Sequence, residues 1–336
     1  MSPGGKRAAP RRRSSPRNTG TAGEIRIGIS TCLLGEPVRY DGGHKRDAFV
    51  NDVLAPFVRY VSVCPEVEIG LGTPREPIHL VEREGTVRLV GTKTAIDHTA
   101  AMRAYGKRKT RELARLVLSG YILKKDSPSC GMERVRLHGR QGGIERSGVG
   151  LYAAALLAAF PDLPVEEEGR LHDAARRDNF VERVFAYHRL QALFSRRWST
   201  GDLVRFHTGE KLLLLAHDPA TYAALGRLVA RARGEVRQDL ANRYRGAFMR
   251  GLRTLATTRK HVNVLQHAQG YLKECADAGE RQDLQAVIED FRRGLVPLVV
   301  PITLLRHLVR RHGVSYLEGQ TYLEPHPKEL MLRNHV

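Results

Sequence analysis

Three cysteines, Cys32, Cys64 and Cys130, each trail a short β-rich run by a few residues, and this repeated placement constrains the fold more than any other feature. Ile25-Arg-Ile-Gly-Ile-Ser30 leads into Thr31-Cys32-Leu33-Leu34-Gly35, and Val58-Arg-Tyr-Val-Ser-Val63 leads into Cys64-Pro65-Glu66. Gly120-Tyr-Ile-Leu-Lys124 leads in the same way into Asp126-Ser-Pro-Ser-Cys130-Gly131. Short apolar runs closed by Gly, Pro and Ser read as buried strands ending in turns. Open α/β sheets bind ligands outside the carboxyl ends of their strands, so thiols in this position can converge across gaps of 32 and 66 residues.

The segments between the cysteines support that class. Ile78 to Arg83 and Thr86 to Val90, joined by Glu84-Gly85, read as a hairpin, and Asp97 to Leu118 has helical spacing. An α/β domain with a parallel, Rossmann-like sheet is therefore expected over 25–168. Glu166-Glu167-Glu168-Gly169 marks a change of texture, after which long helical periodicities predict an all-α domain over 169–336. Asn179 to Trp198 sets Phe180, Val184, Tyr187, Leu190 and Phe194 on one apolar stripe, which reads as core. Residues 1–24, rich in Ser, Gly, Pro and Arg with a net charge of +5, read as a disordered basic arm.

Charge separates the two halves as well. The chain of 336 residues carries +19, of which the segment from Gly169 to Val336 holds +11, from 28 basic and 17 acidic residues. Twenty-four of those 28 are arginine, the side chain suited to bidentate phosphate contact and to stacking on bases. A field of this size points to a polyanionic partner such as RNA. Arg243, Arg250 and Arg253 fall on one broad face of a helix over 235–255, which Lys260 joins if the helix runs on. Arg259, Lys260, His261, Asn263 and His267 form the densest polar constellation, with Arg306, Arg310 and Arg311 on the helix after Pro301 as the next. The bland alternative for any such charge run is a solvated helix face. No apolar stretch approaches the ~18 residues of a membrane span, and the N-terminus lacks the apolar core of a secretory signal, so a cytoplasmic location with no membrane partner is expected. No protein partner is implied.

The cysteines could be small buried hydrophobes, yet each sits beside Pro, Gly or Ser in a turn, which favours metal or cluster ligation. Soft thiolates select zinc or iron-sulfur clusters, and no close Cys-x-x-Cys pair or fourth ligand marks a structural zinc. Three cysteines on an iron-sulfur cluster would leave one iron open. Cys275, among charged residues of the helical half, is not expected to join them. Glu66 stands two residues past Cys64 as a candidate acid or base. Ser127 and Ser129 could donate hydrogen bonds near Cys130, or simply cap its turn, and Asp41 in Asp41-Gly42 is a turn signal first.

Thr31-Cys32-Leu33-Leu34-Gly35 with Val38-Arg39-Tyr40-Asp41-Gly42, Cys64-Pro65-Glu66 with Gly70-Leu71-Gly72-Thr73-Pro74-Arg75, and Lys124-x-x-Ser127-Pro128-Ser129-Cys130-Gly131 together resemble the thiouracil desulfidase domain over about 25–168. The second half, with Thr257-Thr-Arg-Lys-His-Val-Asn-Val-Leu-Gln-His267 and Leu295-Val-Pro-Leu-Val-Val-Pro-Ile-Thr303, is similar to the helical domain fused to it in bacterial tRNA 4-thiouridine desulfidases. The resemblance implies a 4Fe-4S cluster held by Cys32, Cys64 and Cys130, whose fourth iron takes sulfur from a thiolated pyrimidine. It implies Glu66 and a serine of the Ser127-Pro128-Ser129 turn as catalytic candidates, with Asp41 and Lys124 undecided. The function expected is conversion of 4-thiouridine in tRNA to uridine with release of sulfide. Desulfidation of free thiopyrimidines, or a non-enzymatic iron-sulfur protein that binds RNA or senses redox state, are the rivals.

Overall fold

The computed structural model describes residues 23–139 and 143–336, so all but the last two residues of the expected basic arm lie outside the described residues. The first half is α/β. Strands β1 (Arg26–Ser30), β2 (Arg59–Val63), β5 (Gly120–Leu123) and β8 (Val165–Glu167) form an all-parallel sheet in the order β2-β1-β5-β8. Four others, β3 (Ile78–Arg83), β4 (Thr86–Gly91), β6 (Val135–His138) and β7 (Ile144–Gly148), form a second sheet in the order β4-β3-β6-β7. Helices α1 (Pro65–Glu68), α2 (Thr99–Ala114) and α3 (Leu151–Ala159) complete this half.

The parallel sheet is set by a central strand buried on both faces. Ile27 and Ile29 of β1 are fully buried, and Gly28 between them is required because a Cβ there would stand 2.2 Å from the Tyr121 ring on β5. β1 pairs with β2 so that Ser30 lies opposite Val63, and with β5 so that Ile29 lies opposite Ile122. The three strands consequently end level, each releasing its chain into a cysteine-bearing turn.

Two expectations about this half change. The hairpin is one edge of a larger sheet, because β6 and β7, short and interrupted by a bulge, carry too little apolar alternation to read as strands. Glu166-Glu167, read as a mark of changing texture, lies within β8 and is buried, its backbone pairing with β5. Three consecutive acids disguise a strand whose side chains are met by cations and amides: Lys124 reaches Glu168, Arg170 reaches Glu166, and the amide of Met132 donates to Glu167 at 2.7 Å.

From Arg170 onward the described elements are helical: α4 (Ala174–Phe194), α5 (Thr200–His217), α6 (Pro219–Ala230), α7 (Arg237–Arg253), α8 (Thr258–Gly270), α9 (Ala278–Arg292), α10 (Val299–His312) and α11 (Ser315–Glu318), with short 3₁₀ turns between and after them. The fold is therefore α/β followed by all-α. The apolar stripe of α4 is core, as its spacing predicts, but it serves two cores. Phe180, Val181 and Val184 pack with Ile27, Ile29 and Ile122 under the parallel sheet, while Leu190 and Leu193 join the helical core. Leu330 and Leu332, near the end of the chain, return to the sheet side. Among the described residues no helix is long and apolar enough to cross a membrane.

Candidate active site

Beyond the level ends of β1, β2 and β5 lies a cavity of about 690 Å³ lined by Cys32, Cys64 and Cys130 together with Glu66, Ser127, Arg39, Arg75 and Lys124. The position is the one an open parallel sheet reserves for ligands. Cys32 sits in a 3₁₀ turn over Thr31–Leu34 that closes on Gly35, whose φ of 95° suits glycine. Cys64 occupies the residue before α1, with Pro65 at the first helical position, so the first amides of that turn face the thiol. Cys130 is delivered by a turn in which the Ser127 hydroxyl accepts from the amides of Ser129 at 3.3 Å and Cys130 at 3.1 Å. Gly131 is needed for that turn, since a Cβ would meet the Ser127 carbonyl at 2.8 Å.

Burial dominates the electrostatics of the thiols. It pushes Cys32 up to about 11, against the opposing charge of Lys124. Burial also raises Cys64, partly offset by the amide of Val67, and raises Cys130 well above the ordinary thiol range, with the Glu66 charge acting in the same direction. Cys64 acts on Cys32, and both act on Cys130, so the three share one site. A metal reverses this balance, because coordination takes the thiolate form.

The donor set fits a multi-iron group better than a single ion. Zinc with bonds near 2.3 Å would gather three sulfurs within about 4 Å of one another. Among the described residues, the only acidic, histidine or cysteine group with all ligand atoms within 4.8 Å is Asp178, Glu182 and His326, far in sequence from the cysteines. Three soft donors around one cavity, with no fourth cysteine on its lining, suit a cluster in which each thiolate would meet its own iron.

Two carboxylates line the cavity: Asp126, exposed and paired with Arg146 at 3.3 Å, and the more buried Glu66. The Oε2 of Glu66 accepts from Arg75 Nη2 at 2.5 Å and Nε at 3.0 Å, and its Oε1 faces the Ser127 hydroxyl at 3.5 Å. Arg75 is itself fixed through Nη1, which donates to the carbonyls of Val38 at 3.0 Å and Gly72 at 2.8 Å. Lys124 projects from the end of β5 and pairs with Glu168, while its own amide donates to Ser30 Oγ at 3.0 Å. Sequence reasoning left Lys124 undecided and gave Arg75 no role. The Arg75 signal was available only as the last residue of the Gly70–Arg75 loop, whose return toward Cys64 the sequence does not reveal.

Two candidates do not face the cavity. Ser129 is fully buried, its hydroxyl has no partner among the described residues, and its carbonyl accepts from the amides of Tyr152 and Ala153 at the start of α3. Asp41 is exposed and acts in a turn, accepting from the Gly43 amide at 3.0 Å, a bond that heads the causes lowering its pKa; it also pairs with Arg39 at 3.5 Å. Of the serine pair, Ser127 is the one that touches Glu66.

The basic residues of the helical half separate into three kinds. His261 is buried, with Nδ1 2.9 Å from the Tyr322 hydroxyl, so it belongs to the core and offers nothing to an external ligand. Lys260 does not continue the face of Arg243, Arg250 and Arg253, because α7 ends at Arg253 and Thr257 caps a new helix; its Nζ donates to the His217 carbonyl at 2.6 Å. Arg243, Arg306 and Arg311 are ion-paired with Glu235, Glu324 and Glu280. Arg253 donates to the Pro161 carbonyl. Arg250, Arg259, Asn263, His267 and Arg310 are exposed, and Arg259, Asn263 and His267 share one face of α8 at helical spacing. Pro301 falls inside the first turn of α10, which begins at Val299.

Comparison with known proteins gives two family matches. A family described as 2-thiouracil desulfurase matches residues 27–168, and a protein family of unknown function, DUF1722, matches residues 211–327. The uncharacterized protein YbgA of Escherichia coli strain K12 is 36% identical over 162 residues, covering 47% of this chain and 94% of YbgA. The uncharacterized protein YbbK of Bacillus subtilis strain 168 is 32% identical over 136 residues, covering 39% of this chain and 89% of YbbK. A solved structure titled as the [4Fe-4S]-dependent thiouracil desulfidase TudS is 35% identical, with a TM-score of 0.37, over 44% of this chain and 94% of TudS.

Proposed function

The chain belongs to the 2-thiouracil desulfurase family through residues 27–168, and on that premise we propose that it is a thiopyrimidine desulfidase acting on 4-thiouridine in tRNA. The observation that carries the reading is the meeting of Cys32, Cys64, Cys130 and Glu66 on one cavity at the carboxyl edge of the parallel sheet. Cys32, Cys64 and Cys130 would hold a 4Fe-4S cluster. The chemistry such a cluster supplies is an open, sulfur-seeking iron that draws electron density from a thiocarbonyl.

The remaining work falls to the protein. Val38, Pro65 and Pro128 give the cavity apolar walls against which a pyrimidine ring can rest. Arg75 occupies Oε2 of Glu66 and leaves Oε1 to take a proton from a water attacking C4 of the base. Ser127, donating to that same oxygen, orients it and can pass on the hydrogen bond of the water. Water adds at carbon, sulfide departs, and no electron is consumed overall. Lys124 and Arg39 line the wall as cations suited to the developing negative charge.

The assignment of tRNA rests on the +11 of the helical half and on the exposed arginines Arg259 and Arg310, which have no acidic partner among the described residues. The base must leave its stack to enter the cavity, which costs least at an unpaired position. Anaerobic reconstitution followed by sulfide assay on 4-thiouridine-containing tRNA and on free 4-thiouracil tests the reading. Release from tRNA supports it, release only from the free base restricts the substrate, and release from neither overturns it.

A further inference from the structure

A second cavity, of about 280 Å³, lies where β8 and the 3₁₀ turn after it meet α4 and the end of α7. Arg170, Arg176, Arg183 and Arg253 line it, with Glu166 as its one carboxylate. Among the described residues these charges are only partly matched, with Glu166 shared between Arg170 and Arg183 and Glu133 reaching Arg170 alone. Arg183 is more than nine-tenths buried, and its Nε donates to Asn179 Oδ1 at 3.0 Å. Its terminal nitrogens find no hydrogen-bond acceptor among the described residues, Glu166 standing 3.8 Å away. The guanidinium of Arg176 likewise has no acceptor among the described residues, and Arg253 reaches only the Pro161 carbonyl. Arg170 already uses Glu166 at 2.8 Å and Glu133.

We propose that this notch binds a phosphoryl group. Guanidinium forks present paired N–H donors that match phosphate oxygens, and the tetrahedral oxygens of a phosphoryl group can engage several forks at once where a planar carboxylate engages one. Burial lowers Arg183 to about 10 even with Glu166 opposing, and the charges of Arg253 and Arg170 act in the same direction as burial; an added anion relieves that strain. The volume admits a phosphoryl group with ordered water, given about 30 Å³ for each water in the liquid. Two connections tie the notch to its surroundings. Arg253 continues the exposed face of α7 that carries Arg250, and Met132, on its lining, stands two residues from Cys130 in the turn that feeds the thiol cavity. A phosphate held here would thus belong to the same nucleic acid whose base enters that cavity; this source rests on the tRNA reading, while the notch itself does not.

The test uses the full chain, as wild type and as Arg176→Gln with Arg253→Gln, with Arg183→Gln as a second variant. Inorganic phosphate should raise the Tm of the wild type by about 2–4 °C over acetate at equal ionic strength. The double variant should lose at least half of that rise. For tRNA, the double variant should bind more weakly, with the salt slope reduced in magnitude by about 1 for each lost phosphate contact. A lost phosphate effect with unchanged tRNA binding keeps the phosphoryl site and assigns it to a free phosphate or mononucleotide. Equal stabilisation by phosphate and acetate, together with unchanged tRNA affinity and slope in both variants, overturns the proposal. Sulfide release by the wild type from free 4-thiouracil is measured alongside, and its absence would count against the desulfidase reading alone.

Discussion

Arg75 closes on a single oxygen of Glu66, through Nη2 at 2.5 Å and Nε at 3.0 Å, with both side chains nearly buried at 6% and 13% exposure. An arginine that grips both carboxylate oxygens would occupy the group; one that grips Oε2 alone orients it and leaves Oε1 toward the cavity. Ser127 marks that free side at 3.5 Å. The arrangement separates two tasks, holding the carboxylate and using it, between two residues.

We expect Glu66→Gln to lower turnover by about 10²- to 10⁴-fold, the range of a lost general base, while iron content stays at the wild-type level. Arg75→Lys keeps a positive charge but cannot place two N–H donors on one oxygen, so turnover should fall by roughly tenfold to a hundredfold through misplacement of Glu66. Sulfide release under anaerobic single-turnover conditions, with iron measured on the same samples, checks both. Near-normal turnover of the glutamine variant would return Glu66 to the status of a loop acid.

Each of Cys32→Ser, Cys64→Ser and Cys130→Ser should lose most of the reconstituted iron, because a hydroxyl is a far poorer ligand for a soft metal than a thiolate. Cys275→Ser should keep it: that thiol is exposed at a helical turn and bonds only to the Leu272 carbonyl at 3.6 Å. Iron and acid-labile sulfide determination after anaerobic reconstitution decides the matter. Stoichiometric zinc in place of iron would remove the cluster.

What the sequence disclosed and what it hid follow from the range of the forces involved. Strands β1, β2 and β5 were legible because each is a local apolar run with a local turn signal, and their common end brought Cys32, Cys64 and Cys130 into view together. Strand β8 was hidden because no local apolar pattern marks it: its acids are buried against the Met132 amide, 35 residues from Glu167, and against Arg170 and Arg183, which converge on Glu166, so its composition contradicts its burial. The choice between Ser127 and Ser129 was equally out of reach: the two serines flank Pro128 in one turn, and only the turn geometry says that Ser127 faces Glu66 while Ser129 is buried. His261 misled for a related reason. Between Lys260 and Asn263 it reads as surface, yet its position on α8 turns it inward to Tyr322.

Two buried histidines of the helical half, His207 and His261, give a pH prediction with a definite sign. Burial lowers His261 to about 3 and His207 to about 4, so both stay neutral when folded through mildly acidic pH. The unfolded chain binds protons on these groups below about 6.5, so in that window it holds more protons than the native state and stability rises with pH. Stability should therefore fall as pH drops from about 6.5 toward 4, beyond the general loss from carboxylate protonation. His261→Asn should flatten the dependence of Tm on pH across this window, even if it lowers Tm at pH 7 by loosening the contact with Tyr322. A slope unchanged from the wild type would mean that His261 is protonated, or accessible, in the native protein.

The exposed face of α8 offers the cleanest test of RNA contact, because it separates charge from structure. Arg259, Asn263 and His267 lie one helical turn apart on the outside, while Lys260, adjacent in sequence, is turned back to the His217 carbonyl. Arg259→Ala with Arg310→Ala removes two exposed cations that have no acidic partner among the described residues, so the fold should keep its Tm within about 2 °C. Each phosphate contact releases condensed counterions, and losing two should reduce the magnitude of the tRNA salt slope by roughly 1 to 2. Lys260→Ala should behave in the opposite way, lowering Tm by loosening the junction of α5 and α8 while leaving the slope nearly unchanged. Binding measured by fluorescence anisotropy over a salt series, beside a thermal melt of each variant, separates the two behaviours. An unchanged slope in the arginine pair would make the outer positions Arg259 of α8 and Arg310 of α10 solvated ones and move the RNA surface toward Arg250 and the arginine notch beside Arg253.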